Sequence, residues 1–418
     1  MFTQIINGVT HALTRFRLRV AGIALLSIVA VAAAKLIGPF LPQSFGDLVG
    51  AGAVDRLLDI MATSMLAVTT FSLSVVVTVQ RSISAQWTPR ANRIQLEDGS
   101  SQLVLATFMG AFIYAMTSIV LRSAAMFEDR DIVVLFVMTL AVLALVVVVM
   151  LRWIVRLQTM GSLTDIADRI QTRTRTALRD VMASPCLGAT PLVAGTQMPL
   201  NAQDVQARRS GYVTVINMAA IIDRAQSCDG LVYLVCRPGD YVRRGAVLAH
   251  VMDERLGACV HKHVEIGPMR DVQQDPGIGL RMLSEIASRA LSPGVNDSGT
   301  AIDMIDRLTW TLESWEGTAQ DPKPDADARV FLPPPEVARF VLAPFGLIAR
   351  DGAGALDVQR ALQARLGDLA RHHPDQRIAA AAEELRQSAL RRANSAMTFE
   401  EDRTALAQAA KAAAGGSA

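Results

Sequence analysis

Residues 59–90 read DIMATSMLAVTTFSLSVVVTVQRSISAQWTPR, and this stretch decides the fold. No charge occurs between Ile60 and Val79, a run about long enough to cross a ~30 Å hydrocarbon core as a helix. The run is also rich in hydroxyls: Thr63, Ser64, Thr69, Thr70, Ser72, Ser74 and Thr78. On a helix, Thr63, Ala67, Thr70, Ser74, Thr78 and Arg81 recur three or four apart and form one stripe. Two readings of that stripe stand side by side. A small, polar stripe ending in a cation is what a helix lining an aqueous path carries. It is equally what a helix packed closely on other helices carries, because small side chains let backbones approach. Under both readings this side of the helix meets protein or water, not lipid.

Three more apolar runs surround it. The first covers 20–41, follows Arg15, Arg17 and Arg19, is interrupted by Lys35 and is broken by Pro39 and Pro42. Basic residues before a short apolar stretch also fit a secretory signal peptide. The further spans and the continued apolar stretch 36–40 favour a retained first span, with Lys35 snorkelling toward an interface. The third run, 103–121, offers Gly110, Ala111 and Ala115 as a small-residue packing face. The fourth, 132–153, is so uniformly aliphatic that it is expected to face lipid, with Trp153 as an interfacial anchor. Arginines flank alternate ends of these spans: Arg15, Arg17 and Arg19, then Arg81, Arg90 and Arg93, then Arg152 and Arg156. The two remaining loops are poor in cations, so the positive-inside rule gives four spans, near 20–41, 57–80, 103–121 and 132–153, with both termini cytosolic.

Composition agrees with a membrane unit of residues 1–158 followed by a large soluble part. Of 418 residues, 51% are hydrophobic and 19% charged, a balance that argues against an ordinary soluble enzyme. A net charge of +2 gives no reason to expect nucleic acid as a partner. The four cysteines, Cys186, Cys228, Cys236 and Cys259, form no CxxC and no disulfide framework, and are expected to be reduced thiols.

Beyond the membrane, residues 159–204 read as an amphipathic, arginine-rich helix and a Pro/Gly-rich loop, and 205–266 as short β-rich runs between turns. The segment RPGDYVRRGAVLAHV has the turn-and-strand pattern of lipoyl- and biotinyl-type barrel-sandwich folds, but no lysine stands where those carriers hold their cofactor. A scaffold module is therefore expected, and no cofactor. Cys259, His261, His263 and Glu265 alternate, so on a strand they would share one face, either as a partly exposed polar edge or as ligands of a divalent metal. Residues 267–320 turn helical around SPGVND, where Ser292-Pro293-Gly294 breaks one helix and Asn296 and Asp297 cap the next. Ser292, Asn296 and Asp297 are thus a structural corner or a ligand site at a helix N-terminus. Residues 321–335 read as a linker or exposed loop, and 336–412 as two or three helices.

Several of these pieces resemble a bacterial family of predicted membrane proteins of unknown function. The matching residues are SAQWTPR at 84–90, SGYV at 210–213, RPGDYV at 237–242 and, above all, RALSPGVND at 289–297. The likeness runs from about Ile60 to Leu312. The family pattern continues after Asn-Asp with Pro-Phe-Thr-Ala, where this chain has Ser298-Gly299-Thr300-Ala301. The resemblance implies an architecture and a bacterial inner-membrane setting, and no mechanism.

The expected architecture is an α-helical transmembrane bundle of four spans, followed by a mixed α+β cytosolic domain with a small β-barrel or sandwich-like module and a helical C-terminal region. The expected function is an oligomeric channel or transport protein passing an ion or small solute, with Thr63, Thr70, Ser74, Thr78 and Arg81 lining a path. Arg90 and Arg93 would stand at its cytosolic mouth, and the cytosolic domain would form a vestibule or gate. The alternative is a non-conducting scaffold or sensor that binds a protein partner or lipid through its cytosolic domain. No Gly-rich phosphate loop, nucleophile elbow or HExxH is present, so no enzyme is expected.

Overall fold

A computed structural model describes residues 21–22, 25–26, 28–30, 32–37, 51–86, 90, 100–123, 129–159, 162–193, 199, 201–315 and 328–415. The chain divides into two compact units, Met1–Ile166 and Ala167–Ala418.

The first unit is helical. Helix α1 spans Ala51–Gln86, α2 Ser100–Ser123 and α3 Asp129–Thr159. Within them, Gly52–Val79, Gln102–Ser123 and Ile132–Leu157 are long and apolar enough to cross a membrane. Of the run expected as the first span, only helical turns within 21–37 are described; Arg15, Arg17, Arg19, Pro39 and Pro42 lie outside the described residues. The unit's core gathers Val54, Leu58, Met61 and Met65 of α1, Val104, Phe108, Tyr114 and Ala115 of α2, and Leu135, Val142 and Val146 of α3. Ala111 and Ala115 of α2 are fully buried, as a close-packing face requires. Tyr114 and Thr139, both buried, pair hydroxyl to hydroxyl at 3.1 Å, and Thr139 donates to the Leu135 carbonyl at 2.7 Å. Trp153 is not an interfacial anchor: it is 3% exposed and belongs to this core, because it falls on the side of α3 shared with Val142 and Val146. The opposite side of α3 exposes Val137, Leu140, Val147, Val148 and Leu151.

The second unit starts within α4, Leu163–Ala183, and mixes sheets and helices. Strands β1 (Thr190–Pro191), β2 (Gln203–Gln206), β3 (Gly211–Ile216), β4 (Val232–Leu234), β5 (Tyr241–Val242), β6 (Val247–Val251) and β7 (Val264–Gly267) are interleaved with α5 (Met218–Ser227) and α6 (Glu254–His263). Helices α7 (Pro276–Ala290) and α8 (Ser298–Glu313) follow, then β8 (Val330–Leu332) and helices α9 (Arg339–Asp351), α10 (Leu356–His372), α11 (Gln376–Ala396) and α12 (Glu400–Ala413).

Among the described residues the strands form two sheets and no single closed barrel. A five-stranded sheet runs β1-β8-β4-β6-β2 and a three-stranded one β5-β3-β7, around one core that includes Ile221 of α5 and Leu256 and Val260 of α6. Residues 330–332 correct the expectation of a loop at 321–335. Val330 and Leu332 are buried, and Tyr233 stacks on Phe331 at 4.7 Å across the parallel β4–β8 pair. A three-residue strand between prolines carries no period of its own; its partner across the sheet defines it. The C-terminal region holds four helices, where two or three were expected. Short turns at Gly352–Ala355, His373–Asp375 and Met397–Phe399 divide them.

Helix α4 is fixed to α7 and α8. Gln171 donates to the Arg307 carbonyl at 3.2 Å, Arg307 pairs with Asp168, and the Arg175 guanidinium lies 4.7 Å above the Trp310 ring. A Cβ at Gly279 would fall 2.0 Å from the Thr174 hydroxyl oxygen, so glycine alone lets these two helices touch.

Candidate functional site

Helix α1 carries the hydroxyl stripe, and its two sides differ in kind. Val54, Leu58, Met61, Met65, Thr69, Ser72 and Val76 are buried. Thr63, Ala67, Thr70, Ser74, Thr78 and Arg81 are all exposed. At 3.6 residues per turn these two sets lie about half a turn apart. Packing among the described residues therefore does not account for the stripe; their seam runs along the other side of the helix. Thr69 and Ser72 belong to the seam, and the Thr69 hydroxyl donates to the Met65 carbonyl at 2.6 Å.

The stripe's hydroxyls are partly satisfied by the helix itself. Thr63 donates to Asp59, Thr70 to Leu66 and Thr78 to Ser74, each to the carbonyl four residues earlier at 2.9 Å. With the protons turned inward, the oxygen lone pairs remain for an outside partner. Apolar side chains flank the stripe: Ile60, Leu66, Phe71, Leu73 and Val77 are exposed beside it. The exposed apolar residues of α2 (Leu103, Met116, Val120) and of α3 are interrupted by no comparable hydroxyl line. Arg81 sits in the last turns of α1 and Arg90 is exposed, while Arg93 lies outside the described residues.

Sequence reading missed an ion pair at the other end of α1. Asp55 and Arg122 pair at 2.9 Å, tying the start of α1 to the end of α2. Antiparallel neighbours place the first turn of one helix level with the last turn of the next, so the signal was an acid and a base at those ends.

In the second unit the SPGVND corner closes α7 and opens α8. The Ser292 carbonyl accepts the Val295 and Asn296 N–H groups, and the Asp297 N–H returns to the Ala290 carbonyl at 2.8 Å. Asn296 takes φ 51°, a left-handed conformation that asparagine tolerates better than most residues. Asp297 caps α8, accepting from the Thr300 N–H at 3.0 Å and the Thr300 hydroxyl at 2.6 Å. Those two donors, the hydroxyl first, hold its carboxyl below the usual range. The cap is therefore intact above an ordinary carboxylate pKa and fades as pH falls below it. Asp297→Ala is expected to lower stability by about 0.5–1 kcal/mol, the low end for a solvent-exposed cap. Thermal melting of the full chain at neutral pH checks this, and an unchanged melt with altered membrane behaviour would instead favour a ligand role for the corner.

Cys259, His261 and His263 do not share a strand face. They lie on α6, where positions two apart point about 200° apart, and only Glu265 is on β7. The Leu256–Val260 pair is buried, which makes this segment an amphipathic helix. Among the described residues no group of three His, Cys, Asp or Glu side chains is placed to hold a metal ion. All four cysteines are free. Burial pushes the Cys236 thiol up to about 12, with Asp240 adding to it, and raises Cys186 despite the nearby Arg237. Cys186 and Cys236 are thus buried packing groups whose thiols are held protonated.

The family described as "Predicted membrane protein (DUF2254)" matches residues 14–368. An uncharacterized protein of Mycobacterium bovis and another of Mycobacterium tuberculosis are each 27% identical over 299 residues, covering 68% of this chain and 56% of theirs. The chain thus spans about half the length of the curated relatives it matches. No solved structure matches.

Proposed function

The chain belongs to the DUF2254 family of predicted membrane proteins, and on that premise we propose that it is an oligomeric channel or transport protein of the bacterial inner membrane. In this reading α1 lines the path, several copies surround it, and the chain carries out no enzymatic step. Both termini face the cytosol, as the arginines after α1 and α3 favour. The observation that carries the reading is the exposed line Thr63–Thr70–Ser74–Thr78–Arg81, set about half a turn from the seam that buries Leu58, Met65 and Ser72.

Acyl chains favour aliphatic side chains, which is what the outer sides of α2 and α3 present. A row of hydroxyl oxygens ending in a guanidinium gains nothing from lipid and is stabilised by water or by a passing solute. The flanking Ile60, Leu66, Phe71 and Leu73 give each copy apolar surface for its neighbours. One helix cannot enclose a path, so the reading requires a ring. Hydroxyls discriminate little between solutes, and Arg81 would favour anions at its end of the path.

Water access along α1 tests this. Cysteine introduced at Thr70, Ser74 or Thr78 is expected to react with a charged, membrane-impermeant thiol reagent at least about tenfold faster than cysteine at Phe71 or Leu73, since only hydrated thiols ionise readily. Liposome flux should fall as the stripe positions are labelled. Equal labelling of stripe and flank, with no flux by the unmodified protein, would reject the proposal.

A further inference from the structure

Two turns of the second unit lie side by side and carry four arginines. The Ala207 N–H donates to the Ala246 carbonyl at 2.7 Å, the Gly245 N–H to the Ala207 carbonyl at 2.8 Å, and the Arg244 N–H to the Ser210 hydroxyl at 2.9 Å. The β3–β5 ladder continues from them, pairing Gly211 with Val242 and Tyr212 with Tyr241. A bend at 208–209 and a turn at 243–246 thus meet at the end of this short two-stranded ribbon, with Arg208 and Arg209 on the first and Arg243 and Arg244 on the second. All four are exposed.

Among the described residues these charges are not balanced from within. The Arg209 guanidinium is tied to the Ile266 carbonyl, a neutral acceptor. Among the described residues, Arg208, Arg243 and Arg244 form no ion pair. The nearby Asp204 and Asp240 bond other groups, Asp204 the His250 ring at 2.7 Å and Asp240 the Arg237 N–H at 2.8 Å, and neither is ion-paired with these guanidinium groups among the described residues. Glu265, the exposed acid of β7, stands across from Val215, beyond the ribbon's end. The positive field extends to His261, whose imidazole is held below its usual pKa by burial and then by the charge of Arg208. Like charges held on adjacent turns repel, so a guanidinium cluster that no carboxylate pairs among the described residues gains most from an anionic partner. Beside it the Tyr241 ring is 59% exposed, edge-on to Tyr212 at 5.2 Å. A guanidinium cluster next to an exposed tyrosine matches the headgroup level of a bilayer, where phosphates meet amphipathic rings.

We infer that Arg208, Arg209, Arg243 and Arg244, with Tyr241, form a docking surface for the headgroups of anionic phospholipids. The surface is independent of whether α1 conducts. The chain carries helices long and apolar enough to cross a membrane, so such headgroups are a phosphate source it meets in its ordinary setting. Guanidinium groups bind phosphate bidentately, and the attraction falls off within a Debye length, so contact must be short-range and salt-sensitive.

The experiment is hydrogen–deuterium exchange of the full chain in nanodiscs of phosphatidylcholine alone and of phosphatidylcholine mixed with phosphatidylglycerol. Amides of 207–212 and 241–246 are expected to exchange about tenfold more slowly with phosphatidylglycerol present, while α11 and α12 are unchanged. High salt should remove the protection. The triple change Arg208→Gln, Arg243→Gln, Arg244→Gln should also remove it, without lowering the melting temperature, since it relieves repulsion. Should that variant fold poorly, the triple Lys replacement keeps the charge, and the proposal then requires weakened but salt-sensitive protection. Protection that persists in the glutamine variant overturns the proposal. So does equal protection in phosphatidylcholine discs given inorganic phosphate, which would make the ligand a free anion. Protection by a single-stranded oligonucleotide but not by phosphatidylglycerol overturns it as well.

Discussion

If α1 lines a path in an oligomer, as proposed, replacing Ser74 with leucine is expected to reduce flux through the reconstituted protein at least about tenfold while leaving the oligomer and the melting temperature intact, because a ring of leucines would narrow the path and let it dewet. The position suits the test. Ser74 is exposed, midway between Thr70 and Thr78, and away from the seam that α1 buries. Its carbonyl accepts the Thr78 hydroxyl at 2.9 Å, a bond the side-chain change leaves in place. Leucine is also a better helix former than serine, so the fold of one copy should not suffer. If the stripe instead packs against a second copy where backbones nearly touch, the added side chain overpacks that contact. Overpacking typically costs about 1–3 kcal/mol, and the oligomer would loosen. Size-exclusion behaviour and liposome flux, measured on the same preparation, separate the two. An intact oligomer without flux supports conduction. A broken oligomer, or an unmodified protein that passes nothing, supports close packing. Ser74→Ala is the control, since it keeps the small size and should retain flux.

The membrane helices were legible because an apolar run of this length has few other uses. Their ends were not: the second span was expected at 57–80, and α1 runs Ala51–Gln86. Polar residues such as Asp55, Arg56 and Gln80 sit as well on a helix projecting from the hydrocarbon as in a loop. The stripe itself was visible as spacing, but which side of α1 meets its neighbours depended on α2 and α3. Asp297 was legible as a cap because Ser-Pro-Gly and Asn-Asp act locally. Residues 259–265 misled because alternating Cys, His and His stood out, while the Leu256–Val260 spacing that decides for a helix was quieter. Strand β8 could not be read locally at all, since its three residues are a strand only beside Tyr233. The same holds for the contacts of the RPGD turn, which join residues far apart in sequence.

That turn sets up a large stability effect in the second unit. Gly239 has φ 96°, a conformation that strains any residue with a Cβ. A Cβ there would lie 2.5 Å from the Asp275 Oδ2 and 2.7 Å from its Cγ. The carboxylate cannot swing aside cheaply. Asp275 is 7% exposed and receives Arg270 bidentately, at 2.6 and 2.8 Å, and burial raises its pKa despite that partner. Displacing it would leave a buried acid without its base. The Gly239 N–H also donates to the Val213 carbonyl at 2.8 Å, and Arg237, two residues earlier, reaches the carbonyls of Pro185 and Pro333. A shift of the turn would therefore disturb β3, the chain before β1 and the chain after β8 together. Gly239→Ala is expected to lower stability by about 3–5 kcal/mol, from φ strain plus the broken buried pair. Thermal or denaturant unfolding of the full chain measures this. Combining it with Asp275→Ala separates the two causes. Removing the carboxylate opens the space a methyl needs, so the double variant should be less destabilised than the sum of the singles by about 1–3 kcal/mol. Strictly additive effects would mean that backbone strain alone makes glycine necessary here and that the Asp275 contact has no part in it.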